Sequence, residues 1–472
     1  MRDEQWMEEI LARRREEGTF RELRTPEQDQ CFVDFTSNDY LGLGRAVDLR
    51  QASELEATRA RKETTERRRR QRPPWTATDT ANVDSVLCFP VVGSGGSRLL
   101  SGNSWYAEEL EQWIARFHRR PSALLFNSGY DANLGLMSCL PQPGDAVVCD
   151  ELVHNSVRMG SRLGRQKETI LFRHNDVLHL DTTLRDLRAR SAGAAPSNII
   201  VAVESVYSMD GDLAPLTEIL DVAGAHGALV IVDEAHGTGI FGEQGRGLVS
   251  ALGLEAHPAL LAGMHSFGKA FGAHGAAVVG SSTLKDFLVN YARPLIYSTS
   301  LPLDSLACIK CAYLMQASAD DRRRRVLELV DRFQRHLGSG DAADGTAPLD
   351  KQQVSRHRSP IQSVLVAGNE RSLFVAESLR ALGFDVRAIR KPTVAEGTER
   401  LRITLHAYNT DDEVESLARH IRRLAAQSNY LGAATAENAS GKQKTREGPA
   451  RLESVSAGDI VPSTESAARA RL

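Results

Sequence analysis

Lys269 stands in S-F-G-K-A-F-G, Ser266 to Gly272, between an apolar strand-like run and the apolar G-A-A-V-V-G-S. A lysine hemmed in by glycines and small or aromatic residues suits a backbone packed around a planar ligand, where loss of water lowers the amine pKa and permits a Schiff base. A surface lysine in a flexible loop would carry the same letters, so its company in the chain matters. Upstream, I-V-D-E-A-H-G-T-G closes a buried strand with Asp233 and then offers His236. A buried carboxylate beside a pyridine nitrogen keeps that ring protonated and able to accept electron density, which is the chemistry of pyridoxal phosphate. The D-E-A-H letters also head a nucleotide-hydrolase box. That reading needs an upstream glycine loop with Gly-Lys-Ser or Gly-Lys-Thr, and the sequence has none.

Three further positions suit the same cofactor. F-N-S-G-Y-D-A-N, Phe126 to Asn133, reads as a strand end entering a helix. There the amides of Gly129 and Tyr130 and the helix dipole would hold a phosphate, although an ordinary turn glycine reads alike. His154, in D-E-L-V-H-N-S, follows another strand-like run and could stack on a planar ring. Ser208, in V-E-S-V-Y-S-M-D-G-D, could hydrogen-bond a phenolic oxygen or a phosphate. Cys308 and Cys311 make one C-x-x-C within L-A-C-I-K-C-A-Y-L-M, which reads as a buried helix face, so no metal is expected there.

These residues need a scaffold that ends several strands side by side. From about Ala123 to Ser282, the runs A-L-L-F-N-S-G, D-A-V-V-C-D, N-I-I-V-A-V-E-S, G-A-L-V-I-V-D-E and G-A-A-V-V-G-S alternate with polar or helical stretches. That rhythm predicts an α/β fold with a mainly parallel central sheet covered by helices. Ligands of such folds bind beyond the carboxyl ends of the strands, where the candidate residues fall. From about Leu301, an Arg-rich amphipathic stretch, strand-like S-P-I-Q-S-V-L-V-A-G, helical R-S-L-F-V-A-E-S-L-R-A-L-G and strand-like R-L-R-I-T-L predict a second, smaller α/β domain. The expected organisation is an N-terminal segment over 1–45, a disordered insertion over 46–90, a large domain over 91–300, a small C-terminal domain over 301–427 and a disordered tail over 428–472. The insertion is read from E-A-T-R-A-R-K-E-T-T-E-R-R-R-R-Q-R-P-P-W, rich in charge and poor in apolar periodicity, and the tail from its Ala, Ser, Thr, Glu and Gly content.

A hydrophobic fraction of 42% and a formal net charge of −3 exclude neither enzyme nor binding module, but they argue against a nucleic-acid or membrane-surface binder. The run from Arg67 to Arg72 reads as solvated charge. No apolar run spans a bilayer, the acidic start M-R-D-E-Q-W-M-E-E-I is not a secretory leader, and six scattered cysteines fit a reducing compartment. The last residues, Ala470, Arg471 and Leu472, form a small-basic-Leu ending of the peroxisomal type, so an import receptor is an expected partner and the peroxisome, with the cytoplasm as alternative, the expected location.

In their order along the chain the motifs resemble the α-oxoamine synthases, fold-type I pyridoxal-phosphate-dependent transferases that join amino acids to acyl-CoA. The likeness covers most of the chain, from F-T-S-N-D-Y-L-G-L at Phe35 to Leu43, through G-S-G-G-S at Gly93 to Ser97, to K-P-T-V and R-L-R-I-T. The resemblance implies Lys269 in Schiff-base linkage to the cofactor, Asp233 on the pyridine nitrogen, His236 and Ser208 near the phenolic oxygen, and His154 stacked on the ring. It places Gly129, Tyr130 and Ser266 on the phosphate, Asn38 and Arg402 on the amino-acid carboxylate, and Thr393 on the substrate. Arg21, in preference to Arg24, would meet the acyl group, and Thr299 would approach the phosphate of the other subunit in a homodimer. The sequence departs from the family pattern in Ser266, where threonine is usual, in Ala107, where histidine is common, and in the insertion. The loops D-E-A-H-G-T-G-I-F-G-E-Q-G-R-G and L-I-Y-S-T-S-L-P most resemble the branch that condenses L-alanine with pimeloyl-CoA or another pimeloyl thioester in biotin synthesis. A sister enzyme taking glycine or another acyl-CoA is one alternative. A silent homologue serving as a binding subunit is the other, and it predicts loss of the lysine that this chain keeps at 269.

Overall fold

The computed structural model describes residues 4–441 apart from 17–18, 22, 24, 26–31, 71–91, 191–194, 340–347, 351–352 and 392. Seven strands form the main sheet: β2 (Ser122–Phe126), β3 (Ala146–Asp150), β4 (Glu168–Phe172), β5 (Ile199–Glu204), β6 (Leu229–Asp233), β7 (Leu260–Ser266) and β8 (Ala276–Gly280). Their order is β2-β8-β7-β6-β5-β3-β4. β8 runs antiparallel to both neighbours and the remaining pairings are parallel. β3 and β5 are buried along their whole length, as Val/Ile/Ala strands must be when helices cover both faces. Alternate residues feed opposite layers: Val147 and Ile200 pack with Leu136 and Met137, while Val148 and Val201 pack with Leu184 and Leu220.

A smaller antiparallel sheet has the order β11 (Arg387–Ile389), β12 (Arg400–Thr404), β9 (Ile361–Leu365). Its core joins Leu401 and Ile403 to Phe333 and Val375 from the helices Asp320–Gly338 and Asn369–Ala381, and to Val414 and Ile421 from the helix Asp411–Gly441. Phe35 belongs to this core, and β1 (Val33–Asp34) pairs with β10 (Phe384–Asp385), so residues 33–35 are built into the C-terminal layer, while Tyr40, Leu41 and Leu43 enter the core of the large sheet.

Three expected boundaries move. Helix Leu303–Ala317 lies in the core of the large sheet, with Leu306, Ile309, Cys311 and Tyr313 packed against Leu110, Ile114 and Phe271, so residue 301 is no division between cores. The segment expected to be a disordered insertion is a helix over Val47–Arg70, with Leu49, Ala57 and Ala60 buried against Leu303–Ala317. Its charges have partners: Glu56 accepts from Arg59 and from Lys310 at 2.7 and 2.8 Å, Arg61 pairs with Asp304, and Arg67 lies over the Trp105 ring at 4.0 Å. Composition counts those charges but not the opposite charges that a fold brings to them. Residues 71–91 lie outside the described residues. The tail, too, begins later than expected, because the last helix continues to Gly441 through a stretch rich in alanine, the best helix former. Residues 442–472, with Ala470, Arg471 and Leu472, lie outside the described residues. None of the described helices is long and apolar enough to cross a membrane.

Candidate active site

Five strand ends converge on one place. β2 leads to Gly129, β3 to His154, β5 to Ser208, β6 to His236, and β7 ends at Ser266 and leads to Lys269. Two glycines let the loops close over each other. Gly272, at φ +61°, packs so tightly on the crossing chain that a Cβ would come within 2.1 Å of the Gly44 amide, and Gly239, at φ +89°, would put one 2.5 Å from the Ala270 Cβ.

Lys269 Nζ lies 2.8 Å from His236 Nε2, and His236 Nδ1 lies 2.5 Å from the Tyr40 hydroxyl. Tyr40 donates to Asn38 Oδ1 at 3.3 Å, and the same oxygen accepts from Arg402 Nη2 at 3.0 Å. Arg402 also donates to the Ser208 carbonyl at 2.7 Å and to Thr404 Oγ1 at 3.1 Å. One hydrogen-bonded line thus joins the lysine to the arginine. Burial lowers the Lys269 pKa to about 8, helped by Arg402 and opposed by Asp233 and Glu204. Burial, with the nearby Lys269 and Arg402, also holds His236 well below the usual histidine range. A neutral His236 has one N–H between two neighbours. With Tyr40 donating to Asn38, Nδ1–H donates to the Tyr40 oxygen and Nε2 accepts from Lys269.

Asp233 is buried and doubly bonded: Asn133 Nδ2 donates to Oδ2 at 2.7 Å and the Ala235 amide to Oδ1 at 2.8 Å. Asn133 also donates to Ser156 Oγ at 3.0 Å, and that hydroxyl lies 2.7 Å from His154 Nδ1. His154 caps the helix Asn155–Leu163, and its ring stands edge-on to Tyr130 with centroids 6.4 Å apart. At the helix Gly129–Cys139, Ser128 accepts from the Asp131 amide at 3.0 Å, which leaves the Gly129 and Tyr130 amides without a protein acceptor among the described residues. A Cβ at Gly129 would lie 3.4 Å from Ser266 Oγ, so the helix start faces that hydroxyl. Thr299 is exposed and tied there through its carbonyl, which accepts from Asn127 Nδ2 at 2.8 Å.

Residues 32–421 match the family model described as aminotransferase class I and II. The chain belongs to the class I and II aminotransferases. It is 39% identical over 403 residues to an 8-amino-7-oxononanoate synthase of Emericella nidulans, covering 82% of this chain and 87% of that one. It is 36% identical over 440 residues to another of that name from Marinobacter nauticus, covering 90% and 97%. Among solved structures, a serine palmitoyltransferase from S. paucimobilis with PLP and myriocin bound superposes with a TM-score of 0.69 at 27% identity, covering 84% of this chain and 88% of that one. Within the class I and II aminotransferases, this chain is an α-oxoamine synthase and an enzyme that depends on pyridoxal phosphate.

The groups present fit the cofactor of a class I and II aminotransferase: a buried amine whose pKa is lowered to about 8, a carboxylate fixed by two donors, and amides at a helix start that have no protein acceptor among the described residues. The structure gathers Lys269, His236, Asp233, His154, Ser208, Ser266, Gly129, Tyr130, Asn38 and Arg402 around them. It does not gather Arg21 or Thr393, both exposed and without a hydrogen bond to this set among the described residues. Arg24 lies outside the described residues. Sequence reasoning missed Tyr40, Asn133 and Glu204. Tyr40 sat within S-N-D-Y, two residues beyond Asn38, and Asn133 four residues beyond Gly129, on the same helix face. Glu204 closes a continuous apolar run, a signal of a strand end but not of a role.

Proposed function

We propose that the chain condenses L-alanine with a pimeloyl thioester, pimeloyl-CoA in the simplest case, to give 8-amino-7-oxononanoate, CoA and carbon dioxide. The observation that carries this reading is the hydrogen-bonded line from the Lys269 amine to the Arg402 guanidinium, in a chain whose relatives bear the name of that synthase. Pyridoxal phosphate, when bound, supplies an electron sink for a carbanion at the α-carbon of the amino acid. Lys269 would hold it, with Asp233 at the pyridine nitrogen, His236 and Ser208 at the phenolic oxygen, His154 on the ring face, and Gly129, Tyr130 and Ser266 at the phosphate.

Arg402 presents its planar fork, steadied by Asn38 and the Ser208 carbonyl, to the amino-acid carboxylate. Lys269 Nζ, its pKa lowered to about 8, moves the proton at the α-carbon. His236, kept neutral by burial and hydrogen-bonded to Tyr40, offers Nε2 as a proton acceptor beside that amine. Arg21 and Thr393, expected at the acyl group and at the substrate, are both exposed and stand apart from this set. A homodimer with Thr299 at the subunit boundary is supported by the exposed Tyr291 and Tyr297 that precede it.

The test is release of free thiol from pimeloyl-CoA by the holoenzyme with L-alanine, glycine or L-serine in turn, with the amino-ketone product identified by mass. Turnover with L-alanine alone is the expected result. Turnover with glycine alone, or with a different acyl-CoA, moves the enzyme to a sister reaction. No turnover with any amino acid, despite a bound chromophore, would sink the condensation reading.

A further inference from the structure

Two of the loops that carry the site are fastened together by a residue that touches none of it. His174 lies just after β4, with Nδ1 3.0 and 3.2 Å from the two oxygens of Asp150 and Nε2 2.7 Å from Asp212 Oδ2. Asp150 ends β3, is fully buried, and accepts from the Leu152 amide at 2.8 Å, four residues before His154 ends the same loop. Asp212 closes the other loop: its carbonyl accepts from the Tyr207 amide at 3.0 Å, and Ser208 lies between the two. The neighbouring Asn175, held at φ +54°, repeats the bridge, its amide donating to Asp150 Oδ2 and its side chain to Asp212 Oδ2, at 2.8 and 2.7 Å. The Tyr207 ring stands at 86° to the imidazole with centroids 4.4 Å apart, closing its face.

Two buried carboxylates therefore meet on one imidazole, and a charged ring placed between them offsets the cost of burying both, beside the donors from Leu152 and Asn175. Burial alone would discharge the ring, but hydrogen bonds and charge from Asp150 and Asp212 outweigh it and raise the His174 pKa to about 10.

We propose that His174 is a positioning residue for the cofactor site: by bridging Asp150 to Asp212 it sets the separation between the loop that presents His154 and the loop that presents Ser208, and with it the seating of pyridoxal phosphate. The inference rests on the reading of His154 and Ser208 as cofactor contacts. It assigns a role to a side chain that lies outside the contacts of the reacting groups, and it extends to Arg402, which is anchored on the Ser208 carbonyl.

The experiment compares wild-type holoenzyme with His174→Gln and Asp212→Asn, reading the visible circular dichroism of the bound chromophore at saturating cofactor, the Kd for pyridoxal phosphate and the melting temperature. Ser208→Ala and His154→Ala run alongside. The expected result is a changed dichroic band and a Kd raised about tenfold, the loss of roughly one charge-assisted contact, in both bridge variants. Lys269 still binds the cofactor in these variants, so a band remains to be read. A purely structural role would lower the melting temperature and leave the band and the Kd unmoved, and that overturns the proposal. Should His174→Gln fail to fold, Asp212→Asn, which keeps the shape and removes one charge, decides alone. If Ser208→Ala and His154→Ala also leave the chromophore unchanged, the reading of those contacts fails and the proposal with it. If they change it and the bridge variants do not, only the bridge fails.

Discussion

Glu204 and Asp233 are register partners at the carboxyl ends of β5 and β6, so two buried carboxylates share one edge of the site. They are treated differently by their surroundings. Asp233 has two donors, whereas Glu204 Oε1 has no partner among the described residues. Burial, reinforced by the charge of Asp233, pushes the Glu204 pKa well above the usual 4.5. A carboxyl that holds its proton more tightly folded than unfolded costs stability as pH rises above its unfolded value. Glu204→Gln, which mimics the protonated form, is expected to gain melting temperature over wild type progressively as pH rises above about 5. A gap between the two proteins that does not change with pH would refute a protonated Glu204.

Lys269 should capture cofactor at an unusually low pH. With a pKa of about 8, roughly a tenth of the amine is neutral at pH 7, against well under a thousandth for an ordinary lysine. The rate of covalent capture by the apoprotein, trapped with borohydride, is expected to climb about tenfold from pH 7 and to level off above pH 8 to 9. A rate still rising through pH 10 would show an unperturbed amine.

Tyr40 is wholly buried, and its hydroxyl is the partner of His236 Nδ1. Tyr40→Phe leaves that ring nitrogen buried without its partner, at a cost of about 1–3 kcal/mol in chemical denaturation. The same variant frees His236 to exchange its ring proton, so the pH midpoint of covalent capture by Lys269 should move as well. Equal stability and an unmoved midpoint would remove Tyr40 from the line.

Arg402 uses three of its nitrogens in three directions, which a lysine cannot copy. Arg402→Lys is expected to raise KM for the amino acid by about tenfold or more, with the smaller change in KM for the acyl thioester. Equal effects on both substrates would argue against a carboxylate grip.

The helix Val47–Arg70 is tested at Ala60, which is fully buried against Leu303–Ala317. Ala60→Asp puts an unpaired charge into that contact and should cost about 3–5 kcal/mol, with new protease sensitivity between residues 47 and 70. Exposed Arg50→Ala should do neither. Unchanged stability in Ala60→Asp would mean that the helix is detached.

The chemistry-bearing letters, the strand rhythm and the family were legible in the chain alone. Lys269, Asp233, His236, His154 and Ser208 could be named because strand ends are local: a buried apolar run followed by polar and glycine residues marks where a loop must leave the sheet. What tertiary structure decided were relationships between residues far apart in sequence. Tyr40 meets His236 across 196 residues and Arg402 meets Asn38 across 364, and no periodicity encodes such meetings. The helix from Val47 read as disorder for the same reason, since its ion-pair partners Asp304 and Lys310 lie more than two hundred residues away. Charge without its partner looks solvated in sequence. Only packing, which places the opposite charge and removes the water between, turns it into structure.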